Sequence, residues 1–116
     1  METKIFELLK TAVKGTNVPV IEEAYPNIFP CVTFHLYNES GALFGSGTAT
    51  EEGASCQVDI WYKAKNDDVK SAIASTKQAI ANERYFAYPS TETTYETNTK
   101  IYHTYINFDL IKESEE

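Results

Sequence analysis

Residues 56–68 read Cys-Gln-Val-Asp-Ile-Trp-Tyr-Lys-Ala-Lys-Asn-Asp-Asp, and this stretch decides the fold. Its first half alternates. Cys56, Val58, Ile60 and Tyr62 fall on one face of an extended chain, and Gln57, Asp59, Trp61 and Lys63 on the other. The first face suits a core. The second places the only tryptophan of the chain among polar neighbours. The second half changes period. Asn66 or Asp67 can cap a helix, and Val69, Ala72, Ile73, Thr76 and Ile80 follow at helical spacing. A strand over 56–64 therefore runs almost directly into a helix over 67–82.

The same reading extends outward. Ile5, Leu8, Leu9 and Ala12 mark a helix over 2–14, with Lys10 and Lys14 at its cation-favouring end and Gly15 as its stop. Residues 16–30 form a proline-rich linker, because Pro19, Pro26 and Pro30 exclude regular helix. Residues 31–38 alternate as a strand, with Val32, Phe34 and Leu36 on one face. Residues 39–55 carry four glycines and an apolar Leu43–Phe44 pair, as a long hairpin or loop between two strands. Residues 86–97 alternate weakly, 96–100 read as a hairpin turn, and 100–111 make the longest strand. There Tyr102, Ile106, Phe108 and Leu110 face in across Thr104, while Ile101, His103, Tyr105, Asn107 and Asp109 face out. A charged tail closes the chain at 112–116. The order is α-β-β-α-β-β. The expected fold class is α+β, with a mostly antiparallel four-stranded sheet and two helices packed on one face.

The totals exclude several roles. At 116 residues the chain fits one domain with its own core. A net charge of −7 and the absence of any basic run argue against gripping nucleic acid, which needs a lysine and arginine surplus. The first ten residues lack the apolar run of a signal peptide, and no apolar stretch is long enough to span a membrane. Cys31 and Cys56 belong to no metal-ligand spacing and are expected as buried thiols of a reducing cytoplasm.

Catalytic chemistry finds little support. The adjacent pairs Glu22–Glu23, Glu51–Glu52 and Asp67–Asp68 are explained by solvation and by helix capping. Residues 41–47 miss both phosphate-loop glycine patterns, and Gly-Ser-Gly at 45–47 is no nucleophile elbow. Neither cofactor nor metal is implied. A metal site would need His35 and His103 on facing strands beside Asp59 or Asp109, and spacing alone does not favour it. Contact remains. Asp59, Trp61, His103 and Tyr105 are the candidate contact residues of the uncovered sheet face, and Leu43 and Phe44 are candidates for loop-mediated docking.

Three elements together carry a resemblance: the proline linker leading into Cys-Val-Thr-Phe-His-Leu-Tyr, the Gln-Val-Asp-Ile-Trp strand spliced to its helix, and the closing Tyr-His-Thr-Tyr-Ile-Asn-Phe-Asp-Leu strand. Over about 18–111 the chain resembles the small tail-completion proteins of long-tailed bacteriophages and prophages, either tail terminators or head–tail joining proteins. The resemblance implies a non-enzymatic homo-oligomer, commonly a hexameric ring, at the end of the tail tube. Its implied partners are the tail tube protein and a head-side connector, with DNA passing through an acidic lumen. The implied setting is the bacterial cytoplasm during assembly, then the virion tail or neck. Two rivals fit the composition: a small α+β cone-type ligand-binding domain or enzyme, and an acidic inhibitor of a nucleic-acid-binding protein.

Overall fold

The computed structural model describes residues 2–21, 28–37, 54–84 and 86–110. Along the chain run α1 (Glu2–Ala12), β1 (Cys31–Tyr37), β2 (Ala54–Tyr62), α2 (Asp67–Ala81), β3 (Phe86–Glu96) and β4 (Ile101–Leu110). The four strands form one sheet in the order β1-β2-β4-β3, with every neighbouring pair antiparallel. The chain leaves β2, crosses over through α2 to the far edge at β3, and returns beside β2 as β4. This is the α+β fold that the patterns predict. β2 begins and ends two residues earlier than expected, and β3, with 11 residues, is one longer than β4.

Register assigns the faces. Val32 stands opposite Ile60, and Phe34 opposite Val58. Across the other side of β2, Val58 meets Ile106, and Cys56 meets Phe108. These side chains join Ile5, Leu9 and Val13 of the α1 region and Val69, Ala72 and Ile80 of α2 in one core. Both helices therefore cover the same face. Val58 and Ile60 are fully buried because β2 is central and its inner side chains meet neighbours on both sides and above. Burial of this kind contributes about 1.5–3 kcal/mol per large aliphatic side chain.

Local chemistry sets the ends of α2. The Asn66 side chain accepts the Val69 N–H at 2.9 Å, satisfying one donor that the first turn cannot. Asp67 and Asp68 lie in that first turn, where the helix dipole favours negative charge. At the free side of β1, the Val32 N–H donates to the Pro19 carbonyl and the Ile21 N–H donates to the Val32 carbonyl, both at 2.8 Å. Residues 19–21 of the proline linker thus run extended along the sheet edge, in a parallel bridge with Val32.

The inner face departs from a purely apolar reading. The hydroxyls of Tyr62 and Thr104 meet at 2.7 Å, and those of Thr104 and Thr93 at 2.8 Å. This hydroxyl chain satisfies Thr104 where it is nearly fully buried. Tyr102 also differs from expectation. It has the inward register but stays 36% exposed, stacked on Tyr62 and tilted against Tyr95 near the end of the β3–β4 hairpin. Thr76 on α2 is fully buried, and its hydroxyl has no hydrogen-bond partner among the described residues.

Two substitutions separate these terms. Ile60→Ala is expected to cost about 2–5 kcal/mol through lost burial and a residual cavity. Thr76→Val removes the orphan hydroxyl at nearly constant shape and is expected to stabilise by about 1 kcal/mol. Urea unfolding midpoints check both, and a Thr76→Val midpoint below that of the parent would contradict the second.

Candidate contact face

The opposite face of the sheet is built by the alternate residues of the same strands. β1 supplies Thr33, His35 and Tyr37; β2 supplies Gln57, Asp59 and Trp61; β4 supplies His103, Tyr105, Asn107 and Asp109. Register places Asp59 between Thr33 and Tyr105, and Trp61 between Cys31 and His103. Four of the candidate contact residues, Asp59, Trp61, His103 and Tyr105, are thereby brought onto adjacent strands of one face. Leu43 and Phe44 lie outside the described residues.

Asp59 is the centre of this face, and here the sequence reading needs correction. Alternation places its carboxylate outward, and no partner is evident from spacing. In the structure the residue is only 4% exposed. Its Oδ1 lies 2.6 Å from His103 Nε2 and accepts the Gln57 side-chain amide, also at 2.6 Å. With the carboxylate ionised it can only accept, so the proton of the histidine bond sits on Nε2. Burial of a carboxylate is costly, and these two donors offset much of that cost. His35 Nδ1 lies 3.8 Å from the other carboxylate oxygen, too far for a hydrogen bond but within ion-pair range when His35 is protonated.

Aromatic rings surround the pair. Trp61 stacks flat on His103, with centroids 3.9 Å apart and planes 6° from parallel. Its indole N–H donates to Thr33 Oγ1 at 3.0 Å. Tyr105 also packs against His103, tilted by 43° with centroids 5.1 Å apart. The Tyr105 hydroxyl donates to Glu92 on β3 at 2.8 Å, and this bond to a carboxylate raises the phenol pKa. The Tyr37 hydroxyl donates to Asn107 Oδ1 at 3.1 Å, tying β1 to β4 across β2. The face is therefore preorganised: rings are fixed by stacking, and polar tips are occupied by neighbours.

Its chemical capacity is narrow. An imidazole oriented by a carboxylate is half of a nucleophilic arrangement, but among the described residues no free nucleophile is bonded to it. The Thr33 hydroxyl is engaged by Trp61. Both cysteines are free and buried. Burial pushes the Cys31 thiol up to about 11. Burial, reinforced by the Asp59 charge, pushes Cys56 up to about 12. Neither is a thiolate at neutral pH. His35, Asp59 and His103 do converge, as a metal site would require, yet no group of three or more such side chains among the described residues is arranged to hold an ion.

Neither a protein-family model nor a curated protein sequence matches the chain. Among solved structures, it is similar to a chain in the virion of a native gene transfer agent particle. The two share 14% identity with a TM-score of 0.54, over 95% of this chain and 92% of the other. At that identity the likeness shows a shared fold, and it runs nearly end to end in both chains.

Two measurements follow from the geometry. Asp59→Ala leaves His103 and Gln57 without their acceptor and is expected to cost about 1–3 kcal/mol. A double-mutant cycle with His103→Ala should return a coupling of at least ~0.5 kcal/mol, and additive single effects would contradict the pairing. The thiols provide the other. Because their folded pKa values lie above those of the unfolded chain, their contribution to stability is full below the ordinary thiol value of 9.0 and is lost as pH rises through about 11 and 12. Stability should fall over that window, and Cys56→Ala should flatten the fall.

Proposed function

We propose that this chain is a structural virion protein that self-associates through the open face of its sheet. In this reading the whole chain, 1–116, acts as one tail-completion-like domain. It forms a ring at the end of a tail tube and terminates the tail or joins it to the head. Its partners are further copies of itself, a tail tube protein and a head-side connector, and DNA passes through the ring without sequence-specific contact. The role is geometric and non-enzymatic, and its place is the bacterial cytoplasm during assembly and then the virion.

The observation that carries the proposal is the near-complete overlap in fold with a chain of a gene transfer agent virion. The sheet face supports it independently. Two helices cover one side of the sheet, and no described element covers the other. That side presents Trp61, His103, Tyr105 and Tyr37, the amphipathic ring types that interfaces favour. They are held rigid before any partner arrives, so little side-chain entropy remains to be lost on docking. A net charge of −7 suits a channel through which DNA passes without adhering.

The second reading, a cone-type ligand-binding domain or enzyme, is favoured by one observation, the Asp59–His103 pair. It needs a pocket around that pair. The groove beside α2 and the groove beside α1 are both lined by other residues. The acidic-inhibitor reading needs dense free carboxylates on one face, and Asp59 is instead buried and bonded.

Light scattering over a range of concentrations tests the proposal. The expected mass at high concentration is several-fold above the 13.1 kDa of one chain. Trp61→Ala should lower that mass while shifting the melting temperature by no more than a few degrees. A mass of one chain at every concentration, or loss of the melting transition in a monomeric Trp61→Ala chain, would contradict it.

A further inference from the structure

A second feature lies on the helix side of the sheet. Between α2 and β3 runs an open groove of about 600 Å³. Lys65, Lys70 and Lys77 line it, around a floor that includes Ile73, Pro89 and Ile106. Three of the ten basic residues of a chain with net charge −7 thus meet at one groove. None of the three has a carboxylate partner in an ion pair among the described residues, whereas Lys4 and Lys10 pair with Glu83 and Glu7. The groove is basic at its rim and apolar at its floor. Its complement is an acidic peptide carrying an apolar side chain. A nucleic acid would use the lysines but would leave the apolar floor without contact.

The chain contains such a segment. Residues 111–116 read Ile-Lys-Glu-Ser-Glu-Glu, with three carboxylates and one aliphatic side chain. Extended, six residues reach roughly 20 Å. The path of β4 decides which copy they can serve. α2 runs parallel to β4, since Tyr62 pairs with Tyr102 just before α2 begins, and Phe86 pairs with Leu110 just after it ends. β4 therefore leaves the sheet at Leu110 heading away from Lys65 and Lys70. A segment continuing in that direction would diverge from the groove of its own copy, which favours a second copy as the recipient.

We propose that the α2–β3 groove seats residues 111–116 of a second copy. This rests on the self-association reading and adds its direction. Segment into groove is a heterologous contact, head to tail, and such contacts close into rings when the rotation allows. The lysines would meet Glu113, Glu115 and Glu116, and the apolar floor would receive Ile111.

The test uses full-length chains and a fluorescein-labelled peptide of sequence IKESEE, followed by anisotropy. The receiving chain carries Glu113→Gln, Glu115→Gln and Glu116→Gln, which leaves its groove free for the probe. The peptide should bind, weaken with added salt, and weaken at least ~tenfold when Lys70→Glu and Lys77→Glu are added. A peptide with lysines in place of its glutamates should then bind the reversed groove, which controls for misfolding. In light scattering of the otherwise unaltered chain, Lys70→Glu with Lys77→Glu should lower the mass. Absence of peptide binding overturns the seat, and if the chain is still oligomeric the ring reading survives without it. Peptide binding by a chain that stays monomeric well above the peptide Kd overturns the second-copy assignment. An oligomer whose mass ignores the lysine reversals overturns the link between groove and assembly. Binding of a labelled single-stranded oligonucleotide in preference to the peptide overturns the assigned ligand class.

Discussion

The register of β2 is the constraint on which the other features depend. This strand lies between β1 and β4, and every second side chain serves a different solvent. Val58 and Ile60 go beneath the helices, and Asp59 and Trp61 go to the uncovered face. A slip of one residue would exchange the two sets, placing a carboxylate under α2 and two aliphatic side chains on the open face. The cost of that exchange is far larger than any single surface contact, so the register is fixed by the core. The open face inherits its geometry from that choice. Trp61 lies over His103, and Asp59 reaches His103 Nε2, because the core has already aligned β2 with β4.

The two faces consequently differ in kind. The helix side is a core with a short chain of hydroxyls running from Tyr62 through Thr104 to Thr93. The other side is a fixed mosaic of rings and bonded polar groups around one buried carboxylate. Such a mosaic has few mobile groups and few unsatisfied ones, which makes it a weak start for catalysis and a good start for docking. The Asp59–His103–Gln57 cluster would also make docking on this face selective. A partner that displaced either donor would leave a buried charge short of a hydrogen bond, a penalty that only a matched surface avoids.

Much of the fold was legible in the sequence, for identifiable reasons. β2 and α2 were clear because their periods, 2 and 3.6, are undisturbed and a capping residue separates them. β1 and β4 were clear for the same reason. β3 was faint because residues 89–96 are exposed on both faces, so burial imposes no alternation there. The open face was legible as a set of residues but not as a site. That Asp59 would be buried, and bonded to a histidine 44 positions away, depends on a strand pairing that no local pattern encodes. The hydroxyl chain was missed for a similar reason: Thr93 sat in a threonine-rich background, and its role appears only once β3 is registered against β4. The groove beside α2 has no local signature, because Lys65, Lys70 and Lys77 become its rim only once Pro89 and Ile106 are placed beside them by the strand pairing.

The central claim is that the open sheet face is a contact surface, and the single tryptophan reports on that face directly. Acrylamide quenching of Trp61 fluorescence, measured while the protein is diluted across the range in which its mass changes, reads the exposure of the stacked indole itself. The account predicts strong protection at high concentration and a rise in the quenching constant as copies separate. A quenching constant that stays the same while the mass changes would mean that the copies meet elsewhere, and would contradict the claim.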